Sequence, residues 1–131
     1  MSLRAKQILV TIITFILYLF LALKYAGERV IMWKHEIAVS NDFLYHHQDY
    51  WDIANVVLFS LIGQIFLITS LFIQRRIITR IGIFVLLFAS LTHFFTSLGA
   101  MYLYDLLIWG LYIFSSILLY NLTKKSKTSS I

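Results

Sequence analysis

Few side chains in this sequence could do chemistry, and those that could cluster within long apolar runs. They are Asn55, His93, Thr96 and Asp105. A histidine beside an aspartate can take and return a proton, with the carboxylate orienting the imidazole. The same pair, with an amide and a hydroxyl nearby, can hold the polar end of a ligand. His93 stands six residues before Gly99, and Asp105 six residues after it. If Gly99 marks a tight helical turn, both lie roughly 9 Å from it at about 1.5 Å per residue. Asn55 and Thr96 fall near the same depth. We therefore expect a ligand-binding cluster of Asn55, His93, Thr96 and Asp105. His46, His47, Asp49 and Asp52, in the connection before Ile53, could close over it.

A purely structural reading stands beside this one. Asp105 near a helix start suits the dipole and can cap it. His93 bonded to it would tie a hairpin together, worth about 1 kcal/mol. No His-Glu-x-x-His or Glu-x-x-His spacing is present, so no metal site is expected. His46 and His47 are adjacent, diverge on any regular element, and read as exposed loop residues. There is no phosphate loop, nucleophile elbow or aromatic cofactor box, so no cofactor is expected. Catalysis stays an open question, with His93 as the base and no nucleophile that stands out.

The elements that must position these residues are apolar. Of 131 residues, 60% are hydrophobic and 13% charged, with no cysteine and no proline. Mean hydropathy is +0.84. These values exclude a soluble globular domain, a disordered chain, a disulfide scaffold and a zinc–thiolate site. Four stretches approach the roughly 20 residues that a helix needs to cross hydrocarbon. They run over 8–23, 53–73, 77–98 and 102–122, joined by an external loop over 24–52 and followed by a tail over 123–131. Helix is expected, because a backbone facing lipid must bond to itself and strand-like alternation is absent. The expected architecture is one all-α domain of four antiparallel transmembrane helices. Within the loop, Val30-Ile31-Met32-Trp33 is expected to form a short interfacial helix. The first span resembles a signal core, but its sixteen uncharged residues are long for one, and it is expected to be retained.

Charge orients the bundle. Arg4, Lys6, Arg75, Arg76, Arg80, Lys124, Lys125 and Lys127 are eight of the eleven basic residues, and an even number of spans puts them all on one side. Glu28, Glu36, Asp42, Asp49 and Asp52, five of the six acids, fall on the other. The positive-inside rule then places both termini in the cytoplasm. The basic pI is a topology signal, and no nucleic-acid partner is expected.

Polar residues inside spans are the informative ones. Span two holds Ser60, Gln64 and Thr69, span three Thr92, and span four Ser115 and Ser116. Span one offers only Thr11 and Thr14, so it reads as peripheral and lipid-facing. Gly63, Gly82 and Gly110 would let helices approach closely.

Three segments carry a family resemblance. Asn55-Val-Val-Leu-Phe59-Ser-Leu-Ile-Gly63 resembles the Asn-xxx-Phe-x-Pro-x-Gly signature of VanZ-like membrane proteins, with Leu61 at the proline. Ser90-Leu-Thr-His93-Phe-Phe-Thr96 is similar to the family's Ser-x-x-Glu-x-x-Gln stretch, with His93 for Glu and Thr96 for Gln. Tyr104-Asp105-Leu106-Leu107 looks like the Asp-Asp-Leu opening of its last helix. Trp109 falls where a later asparagine stands, and the family's external arginine has no match. The resemblance implies a multi-pass protein of the bacterial plasma membrane, linked to lowered sensitivity to teicoplanin-type glycopeptides.

Three functions remain in play. The first is a VanZ-like envelope protein whose outer pocket recognises a lipid or lipid-tailed glycopeptide, bordered by Trp51, Phe94 and Tyr102. The second is an accessory subunit of a larger membrane complex. The third is an oligomeric transporter, against which the polar residues crowd toward one leaflet. Membrane lipids, a lipid-like ligand and a membrane-protein partner are the expected partners.

Overall fold

The computed structural model describes residues 2–25, 28–45, 51–73, 75–97 and 102–125. The chain is mostly helical. Among the described residues there are five helices: α1 Leu3–Leu19, α2 Met32–Tyr45, α3 Trp51–Phe72, α4 Arg76–Ser97 and α5 Leu103–Lys125. Between α1 and α2 lies an antiparallel hairpin of β1 Ala22–Tyr25 and β2 Glu28–Ile31, in register Ala22 with Ile31 and Tyr25 with Glu28. By length and apolarity α5 is the one helix among the described residues suited to crossing a membrane.

Each long helix is predominantly apolar and contains no proline, so nothing breaks its backbone ladder. Ser2 starts α1, its hydroxyl accepting from the Ala5 N–H at 3.1 Å. The helix stops at Leu19, short of the residue 23 expected from apolarity. Leu21 and Ala22 continue the apolar run, but the backbone turns there into β1. The hairpin is closed at its base by Met32 N–H donating to the Leu21 carbonyl at 2.7 Å. Apolar burial of Leu21, Ala22, Leu23 and Met32 holds this small hairpin, which would be marginal alone. Val30 and Ile31 are thus strand, and the helix expected over Val30–Trp33 begins only at Met32. At the far end α5 continues past residue 122 to Lys125.

The helices pair in antiparallel fashion. α3 and α4 form the most intimate pair, followed by α1 with α5. A Cβ placed on Gly63 would come within 2.8 Å of Leu86 side-chain atoms, and one on Gly82 within 3.0 Å of Leu67. These two glycines therefore set how closely α3 and α4 approach. Gly110 has open space around it and plays no such part.

One end of the bundle gathers the basic residues. Arg4 donates to the carbonyls of Ser70 and Leu71 at 3.1 and 2.7 Å, capping the end of α3. Gln7 donates to the Leu122 carbonyl at 3.1 Å. Arg80 donates to the Thr123 hydroxyl at 3.0 Å and lies over the Tyr120 ring.

Beside an apolar core that includes Leu67, Leu86, Trp109 and Leu119, large apolar side chains lie on the outside and polar ones inside. Leu9, Ile12, Ile16, Ile65, Phe72, Phe88, Leu107 and Phe114 are exposed. Thr11, Thr14, Glu36, Ser60, Gln64, Ser90, Asp105 and Ser115 are buried. α1 is not the peripheral helix that its few polar residues suggest. Its stripe of Gln7, Thr11, Thr14 and Tyr18 faces inward, with Thr14 bonded to Ser115 at 3.0 Å. A hydroxyl in apolar surroundings is costly unless paired, and each of these finds a partner on a neighbouring helix or its own backbone.

Candidate functional site

Asp105 sits in the first turn of α5 and is 1% exposed. Its Oδ2 accepts from the N–H of Tyr102, the residue ahead of the helix, at 3.0 Å. That is the reciprocal half of a capping box, with the carboxylate also favoured by the helix dipole. A carboxylate this buried needs a cation. Arg29 of β2 supplies it: Nε donates to Oδ2 at 2.7 Å and Nη2 to Oδ1 at 2.5 Å, a bidentate fork. The bonds from Asp105 raise the Arg29 guanidinium above its ordinary value.

The fork has an aromatic wall. The Arg29 guanidinium carbon lies 5.4 Å from the Tyr102 ring centre and 5.3 Å from that of Tyr104. The two rings stack on each other at 5.6 Å. Both tyrosines are exposed, and the Arg29 side chain keeps 27% of its surface open. One turn deeper, Trp109 donates to the Ala22 carbonyl at 3.0 Å, and Phe94 packs edge-on against its indole. The hairpin is therefore fastened to α5 at two levels, by Arg29 and by Ala22.

A second polar centre joins α1, α2 and α3. Glu36 is 7% exposed. Its Oε1 accepts from the Ser60 hydroxyl at 2.5 Å, and Gln64 Nε2 donates to Oε1 and Oε2 at 2.8 and 2.9 Å. The Tyr18 hydroxyl is hydrogen-bonded to Ser60 in turn. Ser60 and Gln64 are one turn apart on α3, so both present to the same carboxylate. Burial pushes the Glu36 carboxyl above its ordinary value, and the bonds from Ser60 and Gln64 oppose that rise.

Of the residues singled out from sequence, Asp105 is placed as above, while the side chains of Asn55, His93 and Thr96 lie outside the described residues. Their helices are in place: Asn55 in α3, His93 and Thr96 in α4. His46, His47 and Asp49 also lie outside, as do the side chains of Asp52 and Trp51. Sequence reasoning counted Arg29 and Glu36 only as loop charges. Two signals pointed to them. A lone aspartate at a span end requires a cation, and only Lys24, Arg29 and Lys34 were on its side. A serine and a glutamine one turn apart within a span require a polar partner. The segment expected as an external loop over 24–52 holds instead, among the described residues, the hairpin and α2, and α2 buries Glu36 against α3.

No protein-family model, no curated protein and no solved structure matches this chain.

Proposed function

We propose that the chain is a VanZ-like envelope protein that crosses the bilayer four times and recognises the polar head of an amphiphile at its outer leaflet. In this reading α1, α3, α4 and α5 are the crossing helices. At about 1.5 Å per residue the 22 residues of α3 and of α4 reach roughly 33 Å, enough for the hydrocarbon core. The belt of exposed leucine, isoleucine and phenylalanine faces acyl chains, and buried polar side chains such as Thr11, Thr14, Ser60, Gln64 and Ser70 bond to one another or to backbone carbonyls. The gathering of Arg4, Arg80, Lys124 and Lys125 at one end favours a cytoplasmic location for that end and both termini. The membrane is then that of a bacterial cell.

The observation that carries the recognition reading is the Arg29–Asp105 fork under Tyr102 and Tyr104. Asp105 takes two of the five guanidinium donors, and the rest remain for an anionic or carbonyl acceptor. The tyrosine faces suit a headgroup boundary, where amphipathic rings collect. A lipid or a lipid-tailed glycopeptide offers both features, a polar head for Arg29 and a chain for the neighbouring bilayer. Asn55, His93 and Thr96 would add contacts from α3 and α4.

The test is thermal unfolding of the purified full chain in mild detergent with teicoplanin. Stabilisation is expected, and it should be lost on Arg29→Met or Asp105→Asn and absent with the same glycopeptide lacking its acyl chain. Equal stabilisation of both variants and of the native chain would end the recognition reading.

A further inference from the structure

The outer fork leaves the Glu36 cluster without a role, yet it is a buried ionisable centre shared by three helices. The carboxyl, the Ser60 hydroxyl, the Gln64 amide and the Tyr18 hydroxyl are each more than nine-tenths buried, and they come from three different helices. An ionised carboxylate enclosed in this way must carry a compensating cation or take a proton. Among the described residues no ion pair joins it to a lysine or arginine. The one described ion pair commits Arg29 to Asp105.

The surroundings of Glu36 leave the charge on the carboxyl itself. From α1 it faces Tyr18, behind which Tyr112 of α5 packs ring against ring at 5.6 Å. From α3 it faces Ser60 and Gln64, both neutral. His35 precedes it on α2 and is fully buried. On the hairpin, Arg29 is already neutralised. The contacts on the carboxyl are direct, at 2.5 to 2.9 Å, so the donors touch it with no gap the size of a metal ion. The hydroxyls of Tyr18 and Ser60 form a chain leading to Oε1, and hydroxyl rotors can reverse their donor sense as a proton arrives or leaves.

We propose that Glu36, with Ser60, Gln64 and Tyr18, is an internal proton-binding site that loads and releases one proton per chain. The exchange is an O–H bond made or broken at a Glu36 carboxyl oxygen, with the proton passing to or from solvent and no other bond changing. Burial favours the loaded state, and the Ser60 and Gln64 donors keep the unloaded state attainable.

The test is an infrared pH titration of the full chain in phosphatidylcholine vesicles. A protonated-carboxyl C=O band is expected that persists above the range of exposed carboxyls, disappears in alkaline buffer, and is missing in Glu36→Gln. Ser60→Ala removes a donor to the ionised form and should move the midpoint to higher pH, which a merely structural serine would not do. Sodium at fixed pH should leave the band unchanged. Should Glu36→Gln fold poorly, an apolar carbodiimide on the native chain reads the same group, with an adduct mapped to Glu36 whose rate falls at least tenfold from acid to alkaline buffer. A band unchanged by Glu36→Gln, a Ser60→Ala midpoint that does not move, or loss of the band on adding sodium would each overturn the proposal. None of these readouts involves the Arg29–Asp105 fork.

Discussion

Replacing Arg29 by methionine would keep the aliphatic stem and delete the charge. Asp105, 1% exposed, would then hold a carboxylate with only the Tyr102 N–H and the α5 dipole to stabilise it. Breaking a buried pair from one side costs about 3–5 kcal/mol. Here Arg29 keeps 27% of its side-chain surface open, so solvent screens part of the interaction. The helix dipole returns a further fraction, about 0.5–1 kcal/mol. The expected loss is therefore about 2–3 kcal/mol. Adding Asp105→Asn removes the stranded charge, so the double variant should recover more than half of that loss. Denaturant unfolding in mild detergent, followed by Trp109 fluorescence with Trp33 and Trp51 replaced by phenylalanine, measures the two single variants and the double. The indole bonds to the hairpin at Ala22 and so reports its detachment from α5. A loss below about 0.5 kcal/mol for Arg29→Met, typical of an exposed ion pair, would refute the reasoning, as would additive losses in the double variant.

The packing and the second polar centre give further outcomes. Gly63→Leu and Gly82→Leu should each destabilise by about 1–3 kcal/mol or more through overpacking of α3 on α4, while Gly110→Leu should be near neutral; thermal unfolding compares the three. Trp109→Phe deletes the bond to the Ala22 carbonyl inside the core and should cost about 1–2 kcal/mol in the same assay. Glu36→Gln should flatten the pH dependence of stability. The Glu36 carboxyl is raised in the folded chain, so its contribution is full below the ordinary value of 4.5 and is lost as pH climbs through the raised one. The variant should therefore gain on the native chain in neutral and alkaline buffer, as read by chemical unfolding across pH.

The helical segments were legible because apolarity and the absence of proline leave the backbone little choice. The ends were less so. Leu21 and Leu23 are as apolar as the span before them, yet they pack beneath a hairpin whose pairing with Glu28–Ile31 no helical period reveals. The close approach at Gly63 and Gly82 was visible as a small residue within an apolar run, but the same reading gave Gly110 a contact that it does not make. Asp105 was legible as a costly residue in a costly place. Its partner was not, because Arg29 reaches it from 76 positions away along the chain through a strand that sequence reading took for loop. Glu36 was hidden in the same way. Its burial follows from α2 packing on α3, and the clue was on α3, where Ser60 and Gln64 needed an acceptor.

Four crossings with the basic ends together are directly measurable, because the chain has no native cysteine. Single cysteines would be placed at Ser2, Lys34, Arg75, Tyr102 and Thr128, and intact cells treated with a membrane-impermeant maleimide. Lys34→Cys and Tyr102→Cys should label from outside, and Ser2→Cys, Arg75→Cys and Thr128→Cys only after permeabilisation. Labelling of Ser2→Cys and Thr128→Cys from opposite faces, or of Arg75→Cys in intact cells, would contradict that arrangement.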